Sequence, residues 1–252
     1  IANCAVRALN TGSDMILLGR YIKPQTTFAN IYKNISANAK SIARINEAAE
    51  KIFNLKKELG ILDGSSAMPP PIDKAYREEL EKMSNRAVTL VRDRVKLLPF
   101  NPEVLRGKKP TVCAIFFSPS RFADQLPSFT KPFMEKGWDV RGYNAALTPK
   151  AVDAKRAKEC AEGADLLVVT SLQWADKTNI NQKNTIQALF KENPRNVFIS
   201  TMSPYDIANY PAANTVLATY GLNRYVLQAA ADIILGNLQP QGKLPVSLPV
   251  TQ

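Results

Sequence analysis

Two apolar rhythms run along the chain. Residues 1–10, 26–38 and 41–59 place apolar side chains at three- and four-residue spacing, which predicts helices. The third is the strongest of these. Ile42, Ile45, Ala49, Ile52, Phe53, Leu55 and Leu59 share one face, Ser41 can cap its start, and Gly60 follows its end. Between the first two helices, Met15-Ile16-Leu17-Leu18 is a short continuous apolar run that suits a buried parallel strand. Gly64-Ser65-Ser66-Ala67-Met68-Pro69-Pro70-Pro71 breaks the pattern, and its three successive prolines exclude helix, so it reads as a linker. A charged amphipathic helix is expected over 73–87 and a strand over Val88–Val91.

From about residue 110 the second rhythm takes over. Strands are expected at 112–117, 138–141, 165–170, 196–202 and 215–219. Helices are expected at 122–136, 150–161, 181–192 and 223–235, with a short one between the last two strands. Strand-helix alternation at this spacing predicts a mostly parallel sheet covered by helices on both faces. The first 60 residues, read as helix, strand, helix, helix, are too few for a domain. A lone buried strand cannot satisfy its backbone polar groups, so this segment is expected to complete a sheet begun elsewhere. A β/α barrel lacking its early strands fits best. The expected fold is therefore α/β: the last strand and helices of a (β/α)8 barrel, then a flavodoxin-like α/β sandwich. The expected division is 1–62 for the end of the barrel, 63–109 for a linker and lead-in segment, and 110–252 for the sandwich.

Composition narrows the chemistry. The chain contains no His, which removes Ser-His-Asp and Cys-His catalysis, and most zinc sites, from within it. Cys4, Cys113 and Cys160 form an odd set without metal-ligand spacing and sit in apolar periodic segments, so buried thiols are expected. The net charge of +11 raises nucleic acid or an anionic polymer as partners. The basic residues are spread along the chain, however, and the densest runs, 92–96 and 106–109, lack interleaved aromatics, which argues against nucleic acid. No apolar run approaches the roughly 18 residues of a membrane span. A start at Ile1 reads as a processed or truncated product, so localisation cannot be taken from the N-terminus.

Several stretches, in order, carry a resemblance. The tail Ile233-Ile234-Leu235-Gly236-Asn237-Leu238-Gln239-Pro240-Gln241-Gly242-Lys243-Leu244-Pro245-Val246-Ser247-Leu248-Pro249 resembles the closing motif of family 3 glycoside hydrolases. Ala8–Leu17 looks like that family's last helix-to-strand step in the barrel, and 44–60 like the helix that closes it. Residues 85–93 with Leu97–Phe100 resemble the stretch that leads into the second domain, and Gly163–Val169 a central strand of it. Two departures select a branch. β-Glucosidase-like members carry an acid/base Glu in the loop after that strand, whereas Ser171–Asn179 has none; Asp176 is its one acid. Met202-Ser203-Pro204-Tyr205-Asp206-Ile207-Ala208-Asn209-Tyr210 resembles the Asn-Pro-Tyr-Asp stretch of two-domain β-N-acetylhexosaminidases.

The resemblance implies a retaining hydrolase of GlcNAc-containing glycans whose nucleophile Asp and His-Asp acid/base lie upstream of Ile1. No catalytic residue is then expected in this chain, no metal and no cofactor. Its partner would be the upstream barrel or a companion chain, and a secreted or cell-envelope setting is favoured. Arg20 and Tyr21, at the mouth of the last barrel strand, could hold a hydroxyl or anionic substituent and stack on a sugar face. Asp206 could contact ligand or cap the short helix after Pro204. Trp138 and Trp174 could stack on sugar or fill core. The alternatives are a non-catalytic glycan-binding or scaffolding module, and a basic module that binds anionic polymers.

Overall fold

A computed structural model of the protein describes residues 2–19, 23–36, 38–66, 73–173 and 179–248. The chain divides into two compact units, Ile1–Pro71 and Ile72–Gln252.

In the first unit, helices α1 (Ala2–Asn10), α2 (Pro24–Ser36) and α3 (Ala39–Glu58) pack on one another. Asn38, not Ser41, caps α3: its side chain accepts from the amides of Lys40 and Ser41, while the Ser41 hydroxyl turns to Asn10 at 3.1 Å. Arg44 on α3 pairs with Asp14 at 2.5 Å, and this hydrogen bond holds the Asp14 carboxyl below its usual range. The expected strand at Met15–Leu18 does not form, as residues 15–19 have no regular structure. No strand lies beside it among the described residues of this unit, and a strand without a ladder leaves its amides to water. Leu17 is 98% exposed and Met15 71%.

The second unit is built on a six-stranded sheet. Its strands are β1 (Thr89–Asp93), β2 (Thr111–Phe117), β3 (Asp139–Ala145), β4 (Leu166–Ser171), β5 (Asn196–Ser200) and β6 (Thr215–Ala218). The spatial order is β1-β6-β5-β4-β2-β3, with only β1 antiparallel. The five parallel strands thus follow the flavodoxin-type order, in which the chain starts in mid-sheet at β2, steps out to β3, and returns to the other side at β4. Strands β2, β4, β5 and β6 are buried along their whole length, which is why they appear in sequence as continuous apolar runs. β3, at an edge, is only partly buried and largely polar, and it runs four residues past the predicted end at 141.

Alternate strand residues feed two cores. Val112, Ala114, Phe116, Val168, Ile199 and Leu217 face α5 (Gln125–Glu135) and α8 (Arg224–Leu235), and α4 (Lys74–Ala87) packs on α8. Ile115, Phe117, Val169 and Phe198 face the side of α6 (Ala151–Ala161) and α7 (Ile180–Glu192). α4 and β1, placed by sequence in a lead-in segment, are parts of this unit. Trp138 is buried against Phe100 and Phe133, so it serves the core. Asp165, the acid of the Gly-Ala-Asp stretch, accepts from the Thr111 amide at 2.9 Å and from Lys108, tying β4 to the start of β2.

The cysteine expectation needs correction. Cys4 is exposed, and Cys113 on β2 is joined to Cys160 on α6 by a disulfide with Cα atoms 5.9 Å apart. Their separation of 47 residues is invisible to spacing rules, and only the crossover through β3 and α6 brings them together. Closing a loop of that length removes unfolded-chain entropy worth about 4 kcal/mol. Replacing both cysteines by Ala is expected to lower the urea midpoint accordingly, while Cys4→Ser should leave it unchanged.

The closing stretch is not an edge strand. α8 stops at Gly236, whose φ of 79° supplies the left-handed cap, and the tail then runs back to the start of β1. There the Gly242 amide donates to the Val88 carbonyl at 3.1 Å. A Cβ at Gly242 would sit 2.3 Å from the Ala87 carbonyl oxygen and 2.8 Å from that of Val88. Gly242→Ala is therefore expected to cost about 1–3 kcal/mol, read from chemical denaturation.

Candidate functional site

Because β2 to β6 run parallel, their carboxyl ends lie along one margin of the sheet, where ligands of open α/β sheets bind at the point of strand-order reversal. The loops leaving all five strands line a cavity of about 640 Å³ there. Arg121 and Phe122 come from the exit of β2, Thr148 from β3, Gln173 from β4, Thr201 and Met202 from β5, and Tyr220 from β6. The guanidinium of Arg121 lies 4.9 Å from the Phe122 ring centroid, as a cation over an aromatic face. Tyr220 holds a left-handed backbone, φ 55°, and its hydroxyl donates to Thr89 at 2.9 Å.

One wall is fixed by side-chain amides. Gln173 donates to Gln182 at 3.0 Å and to the Tyr210 hydroxyl, and accepts from the Asn179 amide at 3.0 Å. Gln182 in turn donates to the Leu147 carbonyl at 3.0 Å, and Asn179 to Thr148 at 2.7 Å. Asn179 and Asn223 also cap α7 and α8 through their side-chain oxygens. The network ties the exits of β3 and β4 to the 3₁₀ turn 204–209 and its end at Tyr210, whose hydroxyl burial pushes above its ordinary pKa.

Asp206 sits in that turn, 3% exposed, and does not line the cavity. Ser171 at the end of β4 donates to its Oδ2, and Ser200 at the end of β5 lies 2.6 Å from its Oδ1. Burial pushes its pKa up to about 7, against the opposing pull of the two hydroxyls. The turn's cap position is Ser203, so Asp206 is not the cap. Arg20, Tyr21, Trp174 and Asp176 lie outside the described residues.

The described lining offers amides, hydroxyls, one guanidinium and two aromatic rings, but no carboxylate, thiol or imidazole. Amides, hydroxyls and aromatic faces of this kind can hold and orient a polar ligand. No group of three or more acidic, Cys or His side chains that could hold a metal occurs among the described residues.

The model of the glycosyl hydrolase family 3 C-terminal domain matches residues 10–252. The chain belongs to glycoside hydrolase family 3. A β-xylosidase of Formosa agariphila is 26% identical over 290 aligned positions, covering 97% of this chain and 39% of that protein. A β-N-acetylglucosaminidase/β-glucosidase of Cellulomonas fimi is 23% identical, over 95% of this chain and 45% of that protein. Among solved structures, a family 3 β-N-acetylglucosaminidase from a Paenibacillus species superposes with a TM-score of 0.71 at 21% identity, covering 98% of this chain and 48% of that one. The family 3 chain thus spans less than half the length of these relatives.

Sequence reading pointed to Arg20, Tyr21 and Asp206 but missed the lining of this family 3 domain. Asn179 and Asn223 carried a usable signal, since Asn before an apolar-periodic segment marks a helix start. With the parallel order granted, the reversal between β3 and β4 about β2 locates the crevice. Gln173, Gln182 and Tyr210 carried none: amides are common on helix surfaces, and their partnership exists only in three dimensions.

Proposed function

We propose that this chain is the C-terminal portion of a retaining family 3 β-N-acetylhexosaminidase acting on GlcNAc-containing glycans. In this reading the nucleophile and the acid/base are supplied by polypeptide outside these residues. The observation that carries it is a strand-end cavity of about 640 Å³ in a family 3 domain whose described lining holds no carboxylate. The absence of a Glu from Ser171–Asn179 and of His from the chain agrees with it. So does the activity for which the Cellulomonas relative is named.

The first unit is proposed to close a (β/α)8 barrel. Its support is an open apolar groove of about 540 Å³ lined by Leu9, Ile16, Phe28, Ile31, Ile45 and Ile52, a surface that calls for a covering partner. Arg20 and Tyr21 are then rim contacts to sugar, and Asp206 acts on ligand through the strand ends that it anchors. Initial rates of the parent protein on p-nitrophenyl N-acetylglucosaminide, xyloside and glucoside test the assignment. The N-acetylglucosaminide should be preferred, and a preference for xyloside would overturn it.

A second reading, a glycan-binding module active without the barrel, is favoured by one fact: the described lining of the cavity comes from the second unit. Calorimetric titration of the chain alone with chitobiose decides it. Binding lost in Arg121→Ala supports this reading, and absence of heat excludes it.

A further inference from the structure

The hydrogens around Asp206 can be counted. Ser200 Oγ carries one hydrogen but lies within bonding distance of two oxygens, Asp206 Oδ1 at 2.6 Å and the Ser203 carbonyl at 3.1 Å. A carbonyl only accepts. If the carboxyl were ionised, one of these two contacts would have no hydrogen in it. If Oδ1 is protonated, every contact is filled. Oδ1–H donates to Ser200, Ser200 donates to the Ser203 carbonyl, and Ser171, which has no other acceptor among its described bonds, donates to Oδ2.

We propose that Asp206 is a proton-operated latch: its carboxyl is protonated in the closed state, and losing that proton draws the Ser200 hydroxyl off the Ser203 carbonyl and loosens the 201–203 segment on the cavity wall.

The segment involved is short and borders the site. Ser200 ends β5, Thr201 and Met202 line the cavity, and Ser203 starts the 3₁₀ turn that carries Asp206. In the latched state the Ser203 carbonyl accepts twice, from Ser200 and from the Asp206 amide at 3.1 Å. Ionisation leaves it the amide alone.

The surroundings make the protonated form the resting one at mildly acid pH. Asp206 is almost fully buried, and burial drives its titration from the ordinary 3.8 to about 7. The charged and titratable groups around it do not neutralise a carboxylate. On its own turn and at its end stand Tyr205, exposed, and Tyr210, whose phenol is disfavoured from ionising first by burial and then by the Asp206 charge. From β1, the Arg92 guanidinium donates through Nη2 to the Tyr210 carbonyl at 3.0 Å and leaves its Nε unpartnered, with no bond to the Asp206 carboxyl. From α7, Lys183 reaches Asn209 at 3.3 Å. β4 and β5 contribute only the serine hydroxyls. The latch goes beyond the glycosidase reading and does not depend on which ligand the cavity takes.

The test is carbon-13 NMR of the Asp206 carboxyl in the 252-residue chain from pH 4 to 9, paired with amide hydrogen exchange. The carboxyl should titrate near 7, and the amides of Thr201 and Asp206, which donate to the Ser171 and Ser203 carbonyls, should lose protection about tenfold beyond the intrinsic pH effect as it does so. Asp206→Asn, whose amide can donate to Ser200 and accept from Ser171, should keep that protection at every pH. A carboxyl that titrates near 4 overturns the proposal from the wild-type spectrum alone. So does titration near 7 with unchanged protection at Thr201 and Asp206.

Discussion

Release of p-nitrophenol from its N-acetylglucosaminide by the purified 252-residue chain should stay at the uncatalysed rate, and polypeptide supplying the upstream barrel should raise it. A retaining glycosidase needs a carboxylate nucleophile about 5 Å from a proton donor. Among the described residues the strand-end cavity is lined by no acid, and the buried acid nearest to it along the chain, Asp206, has both oxygens engaged by serines. Loss of the proton donor alone costs about 10²–10⁴-fold, and loss of the nucleophile removes the covalent route as well. Contacts from Arg121 or Tyr220 cannot restore this, because equal binding of ground and transition states does not lower the barrier. Turnover by the chain alone that vanishes in Asp176→Asn would place the chemistry in the loop after β4 and overturn the assignment.

The fold was legible where burial is uniform. β2, β4 and β5 are apolar on both faces because helices cover both, and each was found within two residues of its observed ends. β3 was cut short because an edge strand with Asp139, Arg141 and Gly142 exposed carries no such signal. At Met15–Leu18 the expected strand is not formed within this chain. Its apolar run has strand character, but a strand needs a neighbour, and none lies beside it among the described residues of its unit. The site was less legible than the fold. Cavity residues come from five separate loops, and what unites them is the parallel order of the strands rather than any spacing in sequence. The disulfide and the Asp206 cluster share this property: Cys113 meets Cys160, and Ser171 meets Ser200 and Asp206, only after the crossovers are made.

Stability should fall as pH rises from about 4 to above 7, and Asp206→Asn should abolish that part of the slope. The folded protein holds the Asp206 proton up to about 7, whereas the unfolded chain releases it near 3.8. Between those values the folded state binds more protons than the unfolded one, so raising the pH favours unfolding. The contribution is fully present below 3.8 and gone once the pH has passed the folded value. At 1.36 kcal/mol for each decade, the window is worth about 4 kcal/mol, reduced by any water that reaches the ionised carboxyl. Asn presents the same acceptor and donor pattern as the protonated acid without the ionisable proton. Wild type and Asp206→Asn should therefore have similar urea midpoints at pH 4, and the variant should be the more stable protein at pH 8. In thermal unfolding the gap at pH 8 should reach roughly 10 °C for a domain of this size. Parallel pH-stability curves for the two proteins would mean that the Asp206 carboxyl is already ionised at pH 4 in the folded state.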